Sequence, residues 1–416
     1  MNKNSPIHHI PETLRLTDNV LIEASERFGT PLYVYDADLM NERWNLLHSI
    51  LPKNITLFYS VKANPNISII NIFKELGANF EIASHGELSA VLQTGVSPRN
   101  IIFIGPGKTP HELNEATHYD LKAIVVESKR EVEDLQILSH NKGKKTAIAL
   151  RINPGRGKGT IIMGGATQFG MEKQQALDIL INANRYSDLK IIGLHAYLGT
   201  GILEWRTIVE HTEIILHTFD DLQKISGKEF SFIDVGGGFG IPYYEGEQSP
   251  NWNELREPLY RVINEYLEKY SKTEIIAVES GRFLTGPSGV FVTRVVDVKK
   301  SGNKKFVILD GGTNVFGGDN RYRGFRPTPI KVLNSYNNTN IEPLTLCGPL
   351  CTSADQLAVD TLLPLPNIGN LIAFYQAGAY GLTASPGLFL SHGFPNEIIY
   401  EDNKLHLIGK NGMSLA

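Results

Sequence analysis

Lys62 closes the segment FYSVKAN (58–64), where an apolar run ends in a small polar turn. A lysine drawn into such surroundings is desolvated, which lowers its pKa toward that of an amine able to form an imine with a carbonyl. Snorkelling of the side chain at a strand end is the plainer alternative for this residue taken alone. In VESGRF (278–283), Glu279 ends another apolar run beside Gly281 and Arg282. A carboxylate there could keep a basic ring nitrogen protonated, or form a bracing ion pair with Arg282. The run DVGGGFG (234–240) supplies Gly236, Gly237 and Gly238, which let backbone N–H groups come close to a phosphate. Its spacing is not a dinucleotide fingerprint, so a mononucleotide-sized phosphate suits it better than NAD. Cys351, in CGPLCTSADQL (347–357), has polar neighbours and Asp355 nearby, and could donate a proton. Cys347 fits a buried, inert thiol, and without a supporting His or Cys pair the two cysteines do not make a metal site. Tyr380 in GAYG (378–381) is either a packed turn residue or a hydroxyl that small neighbours allow to approach a ligand.

These residues need elements that bring them together. Between residues 54 and 280 the chain alternates short β-rich apolar runs with longer stretches of helical periodicity. The runs are ITLFYSVKA (55–63), NFEIAS (79–84), IIFIGP (101–106), LKAIVVE (121–127), TAIALRIN (146–153), KIIGLHAYL (190–198), FSFIDVGG (230–237) and EIIAVES (274–280). Eight βα units with strands apolar on both faces predict a (β/α)8 TIM barrel, with an open doubly wound sheet as the structural alternative. Barrel enzymes work at the C-terminal ends of their strands. Lys62, Ser84, Gly105, Arg151, Asn153, His195, Tyr197, Gly236 to Gly238 and Glu279 all fall there. After residue 284, strand-like runs such as GVFVTRVVDVKK are separated by Gly, Asn and Pro turns, which predicts a C-terminal all-β domain. The expected division is an N-terminal segment 1–36 pairing with that domain through TPLYVYD (30–36), a barrel over 37–284 and the β domain over 285–416. SYNNTNIE (335–342) is expected to be an exposed loop.

The chain has 416 residues, 42% of them hydrophobic, enough for a large core in more than one domain, and a formal net charge of −4 that gives no reason to expect nucleic acid or an anionic membrane as partner. With no signal-like or membrane-spanning apolar run and only two cysteines, a cytoplasmic protein without a disulfide framework is expected.

Taken in order, YSVKAN, ASHGEL, GPGK, RINP, QFGM, LHAYLGT, DVGGGFG, ESGRF, GPLC and GAYG resemble the signature set of the fold-type III decarboxylases that use pyridoxal 5'-phosphate (PLP), the group of diaminopimelate, ornithine and arginine decarboxylases. The resemblance runs from about residue 30 to 400. It implies a PLP-binding barrel with an alanine-racemase-like β domain, and a homodimer whose active sites are shared between subunits. By position, Lys62 is similar to the lysine that carries PLP as a Schiff base, and Glu279 to the acid on the pyridine nitrogen. Arg151, Thr200, Gly236, Gly237, Gly238, Gly281, Arg282 and Tyr380 match cofactor-contacting positions. Cys351 is similar to the cysteine that protonates Cα after carbon dioxide leaves. Arg282, Arg326, Thr352, Asp355 and Tyr380 fall where the substrate is contacted.

Departures from the pattern bear on the substrate. Tyr197 stands where the family has a histidine stacked on the PLP ring, a change that keeps a flat side chain. Thr352 replaces the acid that diaminopimelate enzymes place after the cysteine, and Ile330, in FRPTPI (325–330), replaces a tyrosine. Together with QFGM and the SPGLFLSH stretch after GAYG, these look more like the subgroup containing the butirosin-pathway decarboxylase of a glutamyl group on an acyl carrier protein. The expected substrate is thus an amino acid, free or carrier-bound, with diaminopimelate as the alternative. Amino-acid racemases share the barrel but usually oppose the pyridine nitrogen with arginine rather than an acid such as Glu279. An inactive PLP-binding relative would not need Lys62, Glu279, Cys351 and Tyr380 together.

Overall fold

The structure, a computed structural model, describes residues 10–155, 161–244, 246–317, 328–333, 335 and 340–409. Arg326 and residues 336–339 of the 335–342 stretch lie outside them. The described residues form two compact units, one from Trp44–Gly240 and Ser249–Gly281, the other from Met1–Arg43, Ile241–Gln248 and Arg282–Ala416.

The first unit is the barrel. Its strands are Ile55–Ser60, Asn79–Ile82, Ile101–Phe103, Ala123–Val126, Thr146–Arg151, Leu189–His195, Phe232–Asp234 and Ile275–Ser280, one for each apolar run. Each pairs in parallel with the next, and the last returns to the first, Ile276 opposite Ile55 through Ser280 opposite Tyr59. That pairing closes the barrel and rules out the open sheet. The strands read as unbroken apolar runs because both faces are covered, as in Ala123–Val126, where every residue is buried. Inward-facing residues mix Phe58 and Phe232 with Ala123, Ala149 and Ala277, so bulky and small side chains fill the interior together. Helices start soon after strands end because polar caps sit at the junctions: Ser84 accepts from the Glu87 N–H, Thr109 and Glu112 form a capping box, and Ser128 accepts from the Glu131 N–H.

The second unit holds a sheet of nine strands among the described residues. Gly289–Ser301, 13 residues long, is its spine. It pairs with Leu32–Asp36 and Leu371–Phe374 near its start and with Lys304–Leu309 near its end. Leu32–Asp36 also runs parallel to Asn396–Glu401, so the TPLYVYD segment is an interior strand of this sheet. The unit is not purely β: the amphipathic helix Asp18–Phe28, capped by Thr17, lays Leu21 and Ala24 on a core with Leu32, Val34, Val290, Val292, Ala373 and Ile398. Among the described residues, no helix is long and apolar enough to cross a membrane.

Candidate active site

Lys62 sits in a single helical turn, Val61–Ala63, that follows the first barrel strand. Its Nζ donates to both oxygens of Glu81 at 2.8 and 2.9 Å. Glu81 projects from the neighbouring strand, and its side chain is 1% exposed against 43% for Lys62. Lys62 is therefore half-exposed and paired, a buried carboxylate one strand away supplying the counter-charge. Glu87, one turn into the next helix, accepts the Ala83 N–H at 2.6 Å. Burial pushes its carboxyl up to about 7, the charge of Glu81 adding to the effect while the Ala83 bond and Lys62 oppose it.

Three later strand ends place His195, Asp234 and Glu279 together, all buried, with one ligand-type atom of each lying within 4.8 Å of the others. His195 Nε2 lies 3.0 Å from Glu279 Oε1, and the Gly236 N–H donates to Asp234 Oδ1 at 2.8 Å. Burial raises the Glu279 carboxyl, but the hydrogen bond and charge of His195, helped by Lys62 and Arg151, outweigh it and hold Glu279 below the ordinary carboxylate range. Asp234 moves the other way, raised by burial and by the neighbouring Glu279. The sequence put no ligand set for a metal here; this trio has such a geometry, and its placement at the barrel mouth suits a ring nitrogen equally.

The glycine run follows Asp234. A Cβ at Gly236, whose φ is +69°, would lie 2.5 Å from Tyr197 Cδ2, and one at Gly237 would lie 1.8 Å from the Glu279 carbonyl oxygen. Backbone thus passes directly against Tyr197 and the eighth strand, an approach only glycine permits. Thr200 lies nearby in sequence on the short strand Gly199–Thr200, paired with Ile161–Ile162.

Arg151 belongs to a buried ionic quartet. Its Nη1 donates to Glu127 Oε1 at 2.8 Å, and its guanidinium stacks 4.8 Å from the Phe169 ring centroid. Glu127 Oε2 accepts the Gly170 N–H, tying QFGM to the same acid. Lys108, of GPGK, donates to the carbonyls of Gly105 and Val125 at 2.6 and 2.9 Å and pairs with Glu131 at 3.2 Å. Burial lowers the Lys108 pKa against the pull of Glu131 and Glu127.

In the sheet unit, the Arg282 guanidinium lies 4.7 Å from the Tyr380 ring centroid and 5.4 Å from that of Tyr243, whose hydroxyl accepts from Nη1 at 3.1 Å. Tyr380 takes φ +53°, a left-handed conformation that costs a tyrosine energy. Cys351 and Thr352 are exposed. Asp355 is buried, with Oδ1 accepting from the Thr313 N–H and hydroxyl and Oδ2 from the Leu350 N–H, so its carboxylate holds the cysteine loop in shape. Cys347, expected to be buried, is half-buried, and burial followed by Asp355 pushes its thiol up. Ile330 is buried in the strand Ile330–Val332. Glu81, Asp234, Lys108 and Tyr243 went unassigned in the sequence reading.

A barrel with an amine at its first strand end, a charged buried acid at its last and a glycine-only turn between seventh strand and helix fits PLP: the amine suits its aldehyde, the acid its pyridine nitrogen, the glycine backbone its phosphate. The fold and site define a PLP-binding barrel enzyme. Residues 37–286 match the model of the pyridoxal-dependent decarboxylase family, pyridoxal binding domain. The chain is 34% identical over 401 residues to the L-glutamyl-[BtrI acyl-carrier protein] decarboxylase of Niallia circulans, covering 93% of this chain and 92% of that one. It is 31% identical over 404 residues to the diaminopimelate decarboxylase of Aquifex aeolicus, covering 94% and 91%. The crystal structure of Helicobacter pylori diaminopimelate decarboxylase with L-lysine superimposes with a TM-score of 0.85 at 28% identity, covering 94% of this chain and 97% of that one. The chain belongs to the pyridoxal-dependent decarboxylases, fold-type III carboxy-lyases that act with PLP.

Proposed function

We propose that the chain removes the α-carboxylate of an amino acid carried as a thioester on an acyl carrier protein, a glutamyl group being the first candidate. The observation that carries this is the 34% identity, over nearly the full length of both chains, to the L-glutamyl carrier-protein decarboxylase, taken with Thr352 in place of the acid that would read a distal amine. Free diaminopimelate is the second reading, favoured by the 31% identity to the Aquifex enzyme. A carbon dioxide release assay comparing diaminopimelate, ornithine, lysine, arginine and a glutamyl-loaded carrier protein separates them. Release from the loaded carrier is the expected result, and preference for diaminopimelate would overturn it. Retention of optical rotation without carbon dioxide release on every substrate would speak against any decarboxylase, and racemisation would transfer the site to the other enzyme class of this fold.

In this reading Lys62 holds the cofactor, Glu279 faces its pyridine nitrogen, Tyr197 lies against its ring, and Thr200, Gly236 to Gly238 and Gly281 surround its phosphate. When bound, PLP supplies the sink for the electron pair released as the bond from Cα to the carboxylate breaks. Glu279, held anionic by His195, keeps a proton on the ring nitrogen. Glu81 orients Lys62 Nζ and balances its positive charge when it stands as an ammonium. Arg151, fixed through Glu127 and Phe169, adds positive charge behind Glu279. Cys351 Sγ delivers the proton that replaces carbon dioxide at Cα. Its exposure supports a homodimer in which the loop held by Asp355 serves the partner subunit's barrel. Mixing Lys62→Ala and Cys351→Ala chains tests this: subunit exchange should restore about a quarter of wild-type activity if sites are shared, since one site of each heterodimer is then intact.

A further inference from the structure

We propose that Asp234 is a positioning residue acting through Glu279: it keeps its proton in the folded holoenzyme and shares it with Glu279, so that the cluster bears its negative charge on Glu279 alone. This rests on the reading that Glu279 faces the pyridine nitrogen of PLP. Asp234 and Glu279 come from neighbouring strands and are 0% and 4% exposed. Two carboxyl groups this close, away from water, cannot both ionise. Their hydrogen bonds decide which one keeps the proton. Glu279 Oε1 has His195 Nε2 at 3.0 Å, and Lys62 and Arg151 add positive charge. Asp234 has the Gly236 N–H on Oδ1, while Oδ2 is buried and meets no donor among the described residues. An acid oxygen with no donor to receive is where a hydrogen fits, and the neighbouring carboxylate is that of Glu279, one ligand-type atom of each residue of the trio lying within 4.8 Å of the others. His195 Nδ1 likewise has no partner among the described residues, and in this arrangement Nε2 is the nitrogen that donates to Glu279. Glu279 then receives two donors, and the electrostatic influence of Glu81 reinforces the proton on Asp234. This assigns the role of an internal acid to a residue that the sequence presents only as the start of a glycine turn.

The test uses the holoenzyme and four variants. Difference infrared spectroscopy of wild type against Asp234→Asn is expected to show the C=O stretch of a neutral carboxylic acid lost in the variant. Because an amide N–H can replace the acid O–H, Asp234→Asn should stay within about threefold of wild type in PLP dissociation constant, whereas Asp234→Ala, and His195→Ala, which removes the second donor, should weaken PLP about tenfold or more. Absence of the neutral-acid band, or an Asn variant as impaired as the Ala variant, would overturn the proposal. So would a stoichiometric divalent cation in the purified protein that is lost in Asp234→Asn, since the trio would then be a metal site. Glu279→Gln separates the two layers: if it leaves PLP affinity and the cofactor spectrum unchanged, the reading of Glu279 fails. If it alters both while Asp234→Ala alters neither, the inference about Asp234 fails alone. The infrared band and the Asn variant remain decisive even where Asp234→Ala does not fold.

Discussion

Glu81 grips Lys62 with both carboxylate oxygens, and the pair is lopsided because only the acid is buried. Removing Lys62 strands a buried charge, whereas removing Glu81 frees an ammonium that can turn to solvent. Lys62→Ala should therefore lose the absorption band of covalently held cofactor and also lower stability at neutral pH. Adding Glu81→Gln should restore stability without restoring the band, which denaturation curves and absorption spectra of the double variant would check. A band that survived in Lys62→Ala would remove this lysine from the chemistry. Glu87 gives a pH signature. Its folded pKa, about 7, lies above the unfolded value of 4.5, so the fold binds a proton more tightly than the unfolded chain between those values. The resulting stabilisation is complete below about 4.5 and is lost as pH rises through about 7. Glu87→Gln should flatten the stability of the protein over that window in urea titrations at several pH values, and an unchanged slope would show that the carboxyl titrates normally.

At the scale of elements, the Lys108, Glu131, Glu127 and Arg151 quartet ties together the loop after the third strand, the fourth and fifth strand ends, the cap of helix Lys129–Lys142 and the QFGM loop. Lys108→Met removes one member and leaves Glu131 buried beside Glu127, which should cost about 3–5 kcal/mol in denaturant unfolding. Arg151 and its loop should loosen with it, seen as faster amide exchange over 165–171. The barrel strands were legible because burial on both faces writes continuous apolar runs, and the glycines because close backbone approach tolerates nothing else. The acids were not. Glu81 in NFEIAS, Asp234 in FSFIDVGG and His195 in KIIGLHAYL each interrupt an apolar run, which does signal that a partner exists. Which partner it is depends on barrel register, Ser60 beside Glu81 and Asp234 beside both His195 and Ala277, and that register follows from closure of all eight strands rather than from any local stretch. Tyr243 lies in an irregular segment without periodicity, so no pattern pointed to its place beside Arg282.

For the whole molecule, the chain passes four times between its two compact units, and the sheet unit takes an interior strand from the beginning of the sequence. Leu32–Asp36 lies between Gly289–Ser301 and Asn396–Glu401, with all five of its residues buried. A chain starting at Ala37 would lack this strand and the helix Asp18–Phe28, leaving two facing strand edges unpaired and exposing Val290, Val292 and Ile398 of the shared core. Loss of Leu32 and Val34 alone removes two fully buried aliphatic side chains, each worth about 1.5–3 kcal/mol, before the hydrogen bonds of two ladders are counted. That approaches the net stability of a typical domain, about 5–15 kcal/mol. The shortened protein is therefore expected in the insoluble fraction, and supplying residues 1–36 as a separate polypeptide during refolding should recover soluble, PLP-binding protein. Soluble, cofactor-loaded protein from the shortened chain alone would mean that the sheet does not depend on its first strand, and that the sequence order of the two units matters less to folding than the register shows.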